Sequence, residues 1–269
     1  MKATIKTLLI MLIGLQIGWS HQLRAQNAQK KDFTYTVKGS AGEKQLVIDN
    51  FFADVEIIGT NSSEIKITAI GYKGLPEKAK GLRPLGGGGQ DNTEIGLSFN
   101  PNGNIISVSA ANRISDDARY TFYLPKDMKL RIANQGWRGG DILIKGMSGE
   151  VEATTQVSDL VFEDVNGPVV VHTLSADITV KFTTVSQASP TSISSTSGDI
   201  DVYLPASAKG TFMMNTTSGG VYTDVDFDLG EKASTKRMVG SEAVGKLKGG
   251  GVQVSLKSIS GDIYIRKSN

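Results

Sequence analysis

A short string, Ser-Gly-Asp followed by alternating apolar residues, recurs along the chain, and its spacing restricts the fold more than any other feature. Clear copies are Ser197-Gly198-Asp199-Ile200-Asp201-Val202 and Ser260-Gly261-Asp262-Ile263-Tyr264-Ile265. Looser ones are Gly139-Gly140-Asp141, Ser148-Gly149-Glu150, Val157-Ser158-Asp159, Asn166-Gly167-Pro168, Ser175-Ala176-Asp177 and Ser218-Gly219-Gly220. The repeat residue falls at 141, 150, 159, 168 and 177, in steps of nine, and then at 199, 220 and 262. Nine residues hold one strand of about five and a turn of about four, with no room for a crossover helix. Apolar residues alternate within the copies, as at Ile178, Val180 and Phe182 or Ile200, Val202 and Leu204, so each strand turns one face to a core. Two nine-residue arms close one coil, and coils of 18 to 22 residues follow from the steps between the equivalent positions 141, 159, 177, 199 and 220. The pattern predicts an all-β, single-domain parallel β-solenoid or β-roll with two main sheets, each coil bonded to its neighbours. Longer steps read as coils carrying inserted loops.

The amino-terminal part, residues 33–135, is less regular than residues 136–267, but alternation continues at Val55 and Ile57, Ile65 and Ile67, Ile106 and Val108, and Tyr120, Phe122 and Leu124. Ile95, Leu97 and Phe99 read the same way. Residues 73–93, with Leu75-Pro76, Arg83-Pro84 and the run Gly86 to Gly89, lack a strand pattern and are expected to form an exposed, mobile loop. A second insertion is expected at about 228–248. Tyr123-Leu124-Pro125 is echoed by Tyr203-Leu204-Pro205, each followed some eighteen residues later by a strand entered through paired glycines, which points to partial duplication of a unit of several coils.

The first 25 residues have the order of an export signal: Lys2 and Lys6, then an apolar stretch from Leu8 to Ile17, then Leu23-Arg24-Ala25. Cleavage after Ala25 would leave residues 26–269 as one β-solenoid domain in the periplasm, at the cell surface or outside a bacterial cell. It would also remove Lys2, Lys6 and Arg24, taking the formal charge from +2 to −1, so the balance gives no argument for a nucleic-acid partner. The apolar stretch is too short to span a bilayer and no later segment is long enough, so no transmembrane segment is expected in the mature chain. With no cysteine in the sequence, disulfides, thiolate metal sites and cysteine nucleophiles are excluded.

The closing segment Gly249-Gly250-Gly251-Val252-Gln253-Val254-Ser255-Leu256-Lys257-Ser258-Ile259-Ser260-Gly261-Asp262-Ile263-Tyr264-Ile265 resembles the end of the toastrack family, domain of unknown function 4097, a group of bacterial adhesin candidates. The opening Leu46-Val47-Ile48-Asp49-Asn50-Phe51-Phe52-Ala53-Asp54-Val55-Glu56-Ile57 resembles that family's first repeat, with Ala53 where glycine is usual. The resemblance covers most of residues 33–267 and implies an envelope-associated β-solenoid with a presumed adhesive function and no established catalytic residues.

Read for chemistry, the sequence offers little. His172 is the one histidine outside the signal segment, sits at an outward strand position, and has no Gly-x-Ser-x-Gly elbow to accompany it. Gly240-Ser241-Glu242-Ala243-Val244-Gly245-Lys246-Leu247 has the spacing of a phosphate-binding loop, but Leu247 stands where a magnesium-binding hydroxyl is needed. Asp141, Asp159 and Asp177 stack on one side of 18-residue coils, with Glu150 on the other. A turn role, each carboxylate accepting backbone N–H groups of its own corner, accounts for their recurrence. The alternative is a calcium-binding β-roll using Asp141, Asp159 and Asp177 as ligands, although most arms lack the paired glycines such rolls require. A polysaccharide lyase or hydrolase on a β-helix, with carboxylate pairs such as Asp199 and Asp201, is the other alternative. Trp137, Tyr203, Tyr222 and Tyr264 are candidate aromatic contacts for an envelope protein or surface polysaccharide. The reading is therefore an exported, non-enzymatic binding or scaffold protein, with no cofactor.

Overall fold

The computed structural model describes residues 30–268, apart from 80–81, 83–88, 112–113, 115–117 and 230–239. The export signal expected at residues 1–25 lies outside the described residues, as do the middle of the 73–93 loop and most of the first half of the 228–248 insertion.

Among the described residues, the alternating strands assemble into two ten-stranded sheets. The first runs, edge to edge, through Lys30–Thr36, Glu64–Ile70, Arg119–Pro125, Asp54–Thr60, Ile142–Lys145, Leu160–Val165, Ile178–Phe182, Ile200–Leu204, Ile263–Lys267 and Val221–Thr223. The second runs through Ser241–Leu247, Gly210–Thr216, Gln253–Ser258, Thr191–Ser195, Val169–Thr173, Val151–Thr155, Lys129–Ala133, Gln45–Asp49, Ile105–Ala110 and Leu97–Asn102. Successive arms alternate between the sheets, and the 18-residue coil appears directly in the register: Ile142 pairs with Leu160, Leu160 with Ile178, and Val151 with Val169, all parallel. One inward file, Val55, Ile142, Leu160, Ile178, Ile200 and Ile263, is buried throughout. The step of 22 between Asp177 and Asp199 accommodates the turn 183–190, where Val185 is buried and holds the loop against the core.

Parallel pairing gives way to antiparallel pairing at three of the four sheet edges of the described residues, Val221–Thr223 being a parallel edge. Lys30–Thr36 pairs antiparallel with Glu64–Ile70, which pairs antiparallel with Arg119–Pro125. Leu97–Asn102 and Ser241–Leu247 close the two edges of the second sheet in the same manner. An antiparallel edge strand closes a stack whose backbone would otherwise template further pairing. Aromatic residues fill the wider amino-terminal end: Phe51 meets Tyr120 edge-on with centroids 5.0 Å apart, and Phe99 lies 4.9 Å from Phe33 and 5.0 Å from Tyr35. The buried Tyr120 hydroxyl donates to the Ile95 carbonyl at 2.8 Å, and burial pushes its phenol well above the ordinary tyrosine range.

Three sequence expectations need revision. Coils do not follow one another in chain order: the coil of 253–267 lies between those of 191–204 and 210–223, so the repeat residues stack as 199, 262, 220. The coil of 45–60 is likewise inserted between those of 105–125 and 129–145. Within the second insertion, Ser241–Leu247 is a strand paired with Gly210–Thr216, so the resemblance to a phosphate-binding loop is a strand with no loop in it. Finally, the 73–93 segment is not exposed throughout. Asp91 Oδ1 accepts the N–H groups of Thr93 and Glu94 at 3.0 and 2.9 Å, folding a tight turn that buries Thr93.

Candidate functional site

The repeat residue stands just before each strand of the first sheet, where the chain turns in from the second. Coil stacking lines up Asp54, Asp141, Asp159, Asp177, Asp199 and Asp262 along this corner. Except at Asp141, each carboxylate serves its neighbour coil and not its own turn, which corrects the local role expected from the sequence. Asp159 Oδ1 accepts the N–H of Asp177 at 3.0 Å, Asp177 that of Asp199 at 2.8 Å, Asp199 that of Asp262 at 2.8 Å, and Asp262 that of Gly220 at 2.7 Å. Asp54 begins the file by accepting from Asp141 at 3.3 Å. Gly220 ends it: among the described residues no further coil stands beyond this copy to require an acceptor.

Behind the aspartates runs a second file that the sequence reading missed. Thr155, Thr173, Ser195, Ser258 and Thr216, each four positions before the repeat residue, are buried at the ends of second-sheet strands. Ser195 Oγ donates to the Ala176 carbonyl at 3.2 Å, Ser258 Oγ to Gly198 at 3.2 Å, and Thr216 Oγ1 to Gly261 at 2.8 Å. These hydroxyls satisfy carbonyls that turn inward at the corner and would otherwise be buried without partners. The signal of this file in the sequence is Thr/Ser-x-Ser-Gly-Asp, a hydroxyl residue two positions before the Ser-Gly-Asp string, as at Ser195 and Ser258.

Among the described residues, no group of three or more His, Asp or Glu side chains is placed to hold a metal ion. Asp141, Asp159 and Asp177 are neighbours in the file, with Asp159 and Asp177 each using one oxygen on the next coil. The carboxyl of Asp141 is pushed above the usual aspartate range by desolvation, then by repulsion from Asp159 and Asp54. His172 packs its Nδ1 3.0 Å from Ser194 Oγ, while that hydroxyl donates its single proton to the Val171 carbonyl at 3.1 Å. The direction of the His172–Ser194 bond follows the imidazole tautomer.

Tyr222 and Tyr264 are in register on the outer face of the first sheet, and their rings stack 5.4 Å apart at 18°. Tyr264 Oη donates to Asp262 at 3.0 Å, a bond that raises its phenol above the ordinary value, with Asp199 adding repulsion. On the other side, Arg266 lies over the Tyr264 ring at 5.1 Å and the Tyr203 ring at 5.9 Å, with its Nε on both Asp201 oxygens at 2.9 and 3.1 Å. Tyr203 Oη donates to Asp201 at 3.2 Å. Three of the four aromatic candidates thus belong to one interlocked surface, alongside an open groove of about 230 Å3 lined by Tyr222, Thr223, Asp224, Tyr264, Ile265 and Arg266. Trp137 is not part of it. It is 79% exposed on the turn before Ile142–Lys145, five strand positions from Val221–Thr223, or about 24 Å at the usual strand spacing. Sequence reading missed Arg266 and Asp201 as the residues that order the rings, because their pairing depends on the out-of-order coil.

Residues 158–266 match the family model described as Toastrack DUF4097. Comparison with curated protein sequences gives no match. Among solved structures, a "putative cell adhesion protein" from Clostridium sporogenes is similar at 14% identity and a TM-score of 0.47, over 89% of this chain and 100% of that one. A "putative adhesin" from Bacteroides fragilis is similar at 12% identity and a TM-score of 0.32, over 89% and 97%. A "putative lipid binding protein" from Parabacteroides distasonis is similar at 12% identity and a TM-score of 0.29, over 90% and 98%. The matched segment contains the clearest Ser-Gly-Asp copies and the ordered tyrosine surface, and over residues 158–266 the chain is similar to the toastrack family.

Proposed function

We propose that the chain is an exported, non-enzymatic display protein of the bacterial envelope, in the manner of an adhesin, and that its contact surface is the Tyr222, Tyr264 and Arg266 end of the first sheet. The observation that carries this reading is the stacked tyrosine pair fixed by Arg266 and Asp201 on a ladder of parallel strands. Rigid aromatic groups held in place before contact lose little conformational freedom on binding, which is the property of residues that dominate interfaces. The names given to the structural relatives are compatible with such a role. The carboxylate pair the sequence offered for catalysis is already engaged: Asp199 bonds the next coil and Asp201 is held by Arg266.

The test is binding of the purified protein to isolated envelope fractions, comparing the wild type with Tyr222→Ala and Trp137→Ala. Retention that falls at least tenfold for Tyr222→Ala and is unchanged for Trp137→Ala is the expected result. Equal retention of all three proteins, or release of reducing ends from envelope polysaccharide by the wild type, overturns the proposal.

A further inference from the structure

We infer that the groove beside Tyr222 takes one ring of a neutral, hydroxyl-rich glycan, an inference that rests on the display reading above and names its ligand class. Val221–Thr223 is the last strand of the first sheet among the described residues. Tyr264 covers one face of the Tyr222 ring, and beyond the other face no further described strand follows; Tyr222 is accordingly 54% exposed. An open phenol face held rigidly in this way accepts the apolar C–H face of a sugar ring.

The polar lining narrows the ligand class. Two of the cations nearby are already matched, Lys267 with Asp226 at 3.0 Å and Arg266 Nε with Asp201. Within the groove itself, one carboxylate, Asp224, faces one guanidinium, Arg266, and Asp224 spends one oxygen on the Lys267 N–H at 2.8 Å. An anionic ligand would sit against Asp224 and a cationic one against Arg266. A neutral polyol meets an acceptor and a fork of donors, the combination that binds neighbouring hydroxyls. The volume, about 230 Å3, is below the roughly 300–1,000 Å3 of sites that enclose a drug-sized ligand, so the groove grips one unit of a chain that continues outside it.

The experiment titrates the full chain by calorimetry with neutral oligosaccharides (gluco-, manno- and N-acetylglucosamine oligomers), with an acidic oligogalacturonate and with a cationic glucosamine oligomer. A neutral oligomer is expected to bind, Tyr222→Ala to weaken it about tenfold, Asp224→Asn to weaken it less, and Tyr222→Phe to retain it. Circular dichroism of each variant checks that the fold survives, and Tyr222→Phe separates loss of the platform from loss of structure. Tighter binding of the charged oligomers, no binding of the neutral ones, or binding indifferent to Tyr222→Ala overturns the inference. If the neutral oligomers fail while envelope retention still depends on Tyr222, the glycan class falls and the display reading stands. If both fail, both fall.

Discussion

The middle of the stack and its two ends are built from the same repeat, yet they are held by different means. Between Ile142 and Leu204 the coils stack on one another in chain order, bonded by the aspartate file, the buried hydroxyls and a parallel ladder. At each end the chain steps over one coil position and leaves a gap. The coil of 45–60 fills the first gap, and the coil of 253–267 fills the second. Both steps occur at the two Tyr-Leu-Pro sequences, where Met128 N–H bonds the Pro125 carbonyl at 3.0 Å and Ala208 N–H bonds that of Pro205 at 2.9 Å. The echo in the sequence thus marks two equivalent places where the chain skips a coil. Because the inserted coils come from far along the chain, each end is stapled by contacts of long sequence separation, whereas the middle can form by local addition.

The sharpest way to break this contrast is to crowd the corner. A Cβ on Gly198 would collide with the Ala176 carbonyl, with coils fixed on both sides, so Gly198→Ala should cost about 3 kcal/mol and lower the melting temperature by roughly 6 °C or more. The same methyl on Gly219 would press on the Gly261 carbonyl, but only the terminal coil must move, and about 1 kcal/mol is expected. Thermal melts of both variants check the difference. Equal losses would mean that the terminal coil is as rigid as the middle.

The aspartate file gives a smaller and more local contrast. Asp199→Ala removes the acceptor for Asp262 N–H between two internal coils and should cost about 1 kcal/mol of global stability. Asp262→Ala frees Gly220 N–H and the Tyr264 hydroxyl at the stack's end. Its effect should appear as faster amide exchange over Val221–Thr223 with little change in the melt. A melt lowered equally by both would show that the end unfolds with the middle as one unit.

How far the sequence carried can be judged from the same residues. Nine-residue steps and alternation were sufficient for the sheets, the register of Ile142, Leu160 and Ile178, and the outward placement of Tyr222 and Tyr264. Pairing order was not legible, because every coil presents a nearly identical hydrogen-bonding edge and nothing local states which coil a given edge will meet. A clue was Gly220, which stands where the other first-sheet copies carry aspartate and marks a coil with no described coil beyond it. For the same reason the Arg266 to Asp201 pair, sixty-five positions apart, could not be foreseen, and without it Tyr203 and Tyr264 had no stated means of being held. The aspartates were correctly read as recurring hydrogen-bond acceptors but assigned to their own turns, since spacing along one chain does not distinguish a bond within a corner from one between coils.

Charge on the stack offers the finest test, with opposite signs at two internal carboxylates. Glu163 is held below the usual range, first by its hydrogen bond from Lys181 at 3.0 Å, with Lys145 adding attraction at 3.7 Å. Its ionised form therefore stabilises the fold above the unfolded value near 4.3, and that contribution is lost as pH falls through the lower folded value. Asp141 is the reverse case. Desolvation and the neighbouring Asp159 and Asp54 raise its carboxyl, so the folded chain holds that proton more tightly than the unfolded one, and stability falls as pH rises from about 3.9 through the folded value. Asp141 is exposed and Glu163 half-buried, so screening keeps each effect near the roughly 0.5 kcal/mol typical of surface substitutions. Melting curves between pH 3 and 7 should show Asp141→Asn more stable than the wild type at neutral pH and equal to it at the acid end. Glu163→Gln should be less stable at neutral pH and converge likewise. A loss of neutral-pH stability in Asp141→Asn would mean that this carboxylate, like those of Asp159 and Asp177, bonds the next coil, and that the file has no weak rung.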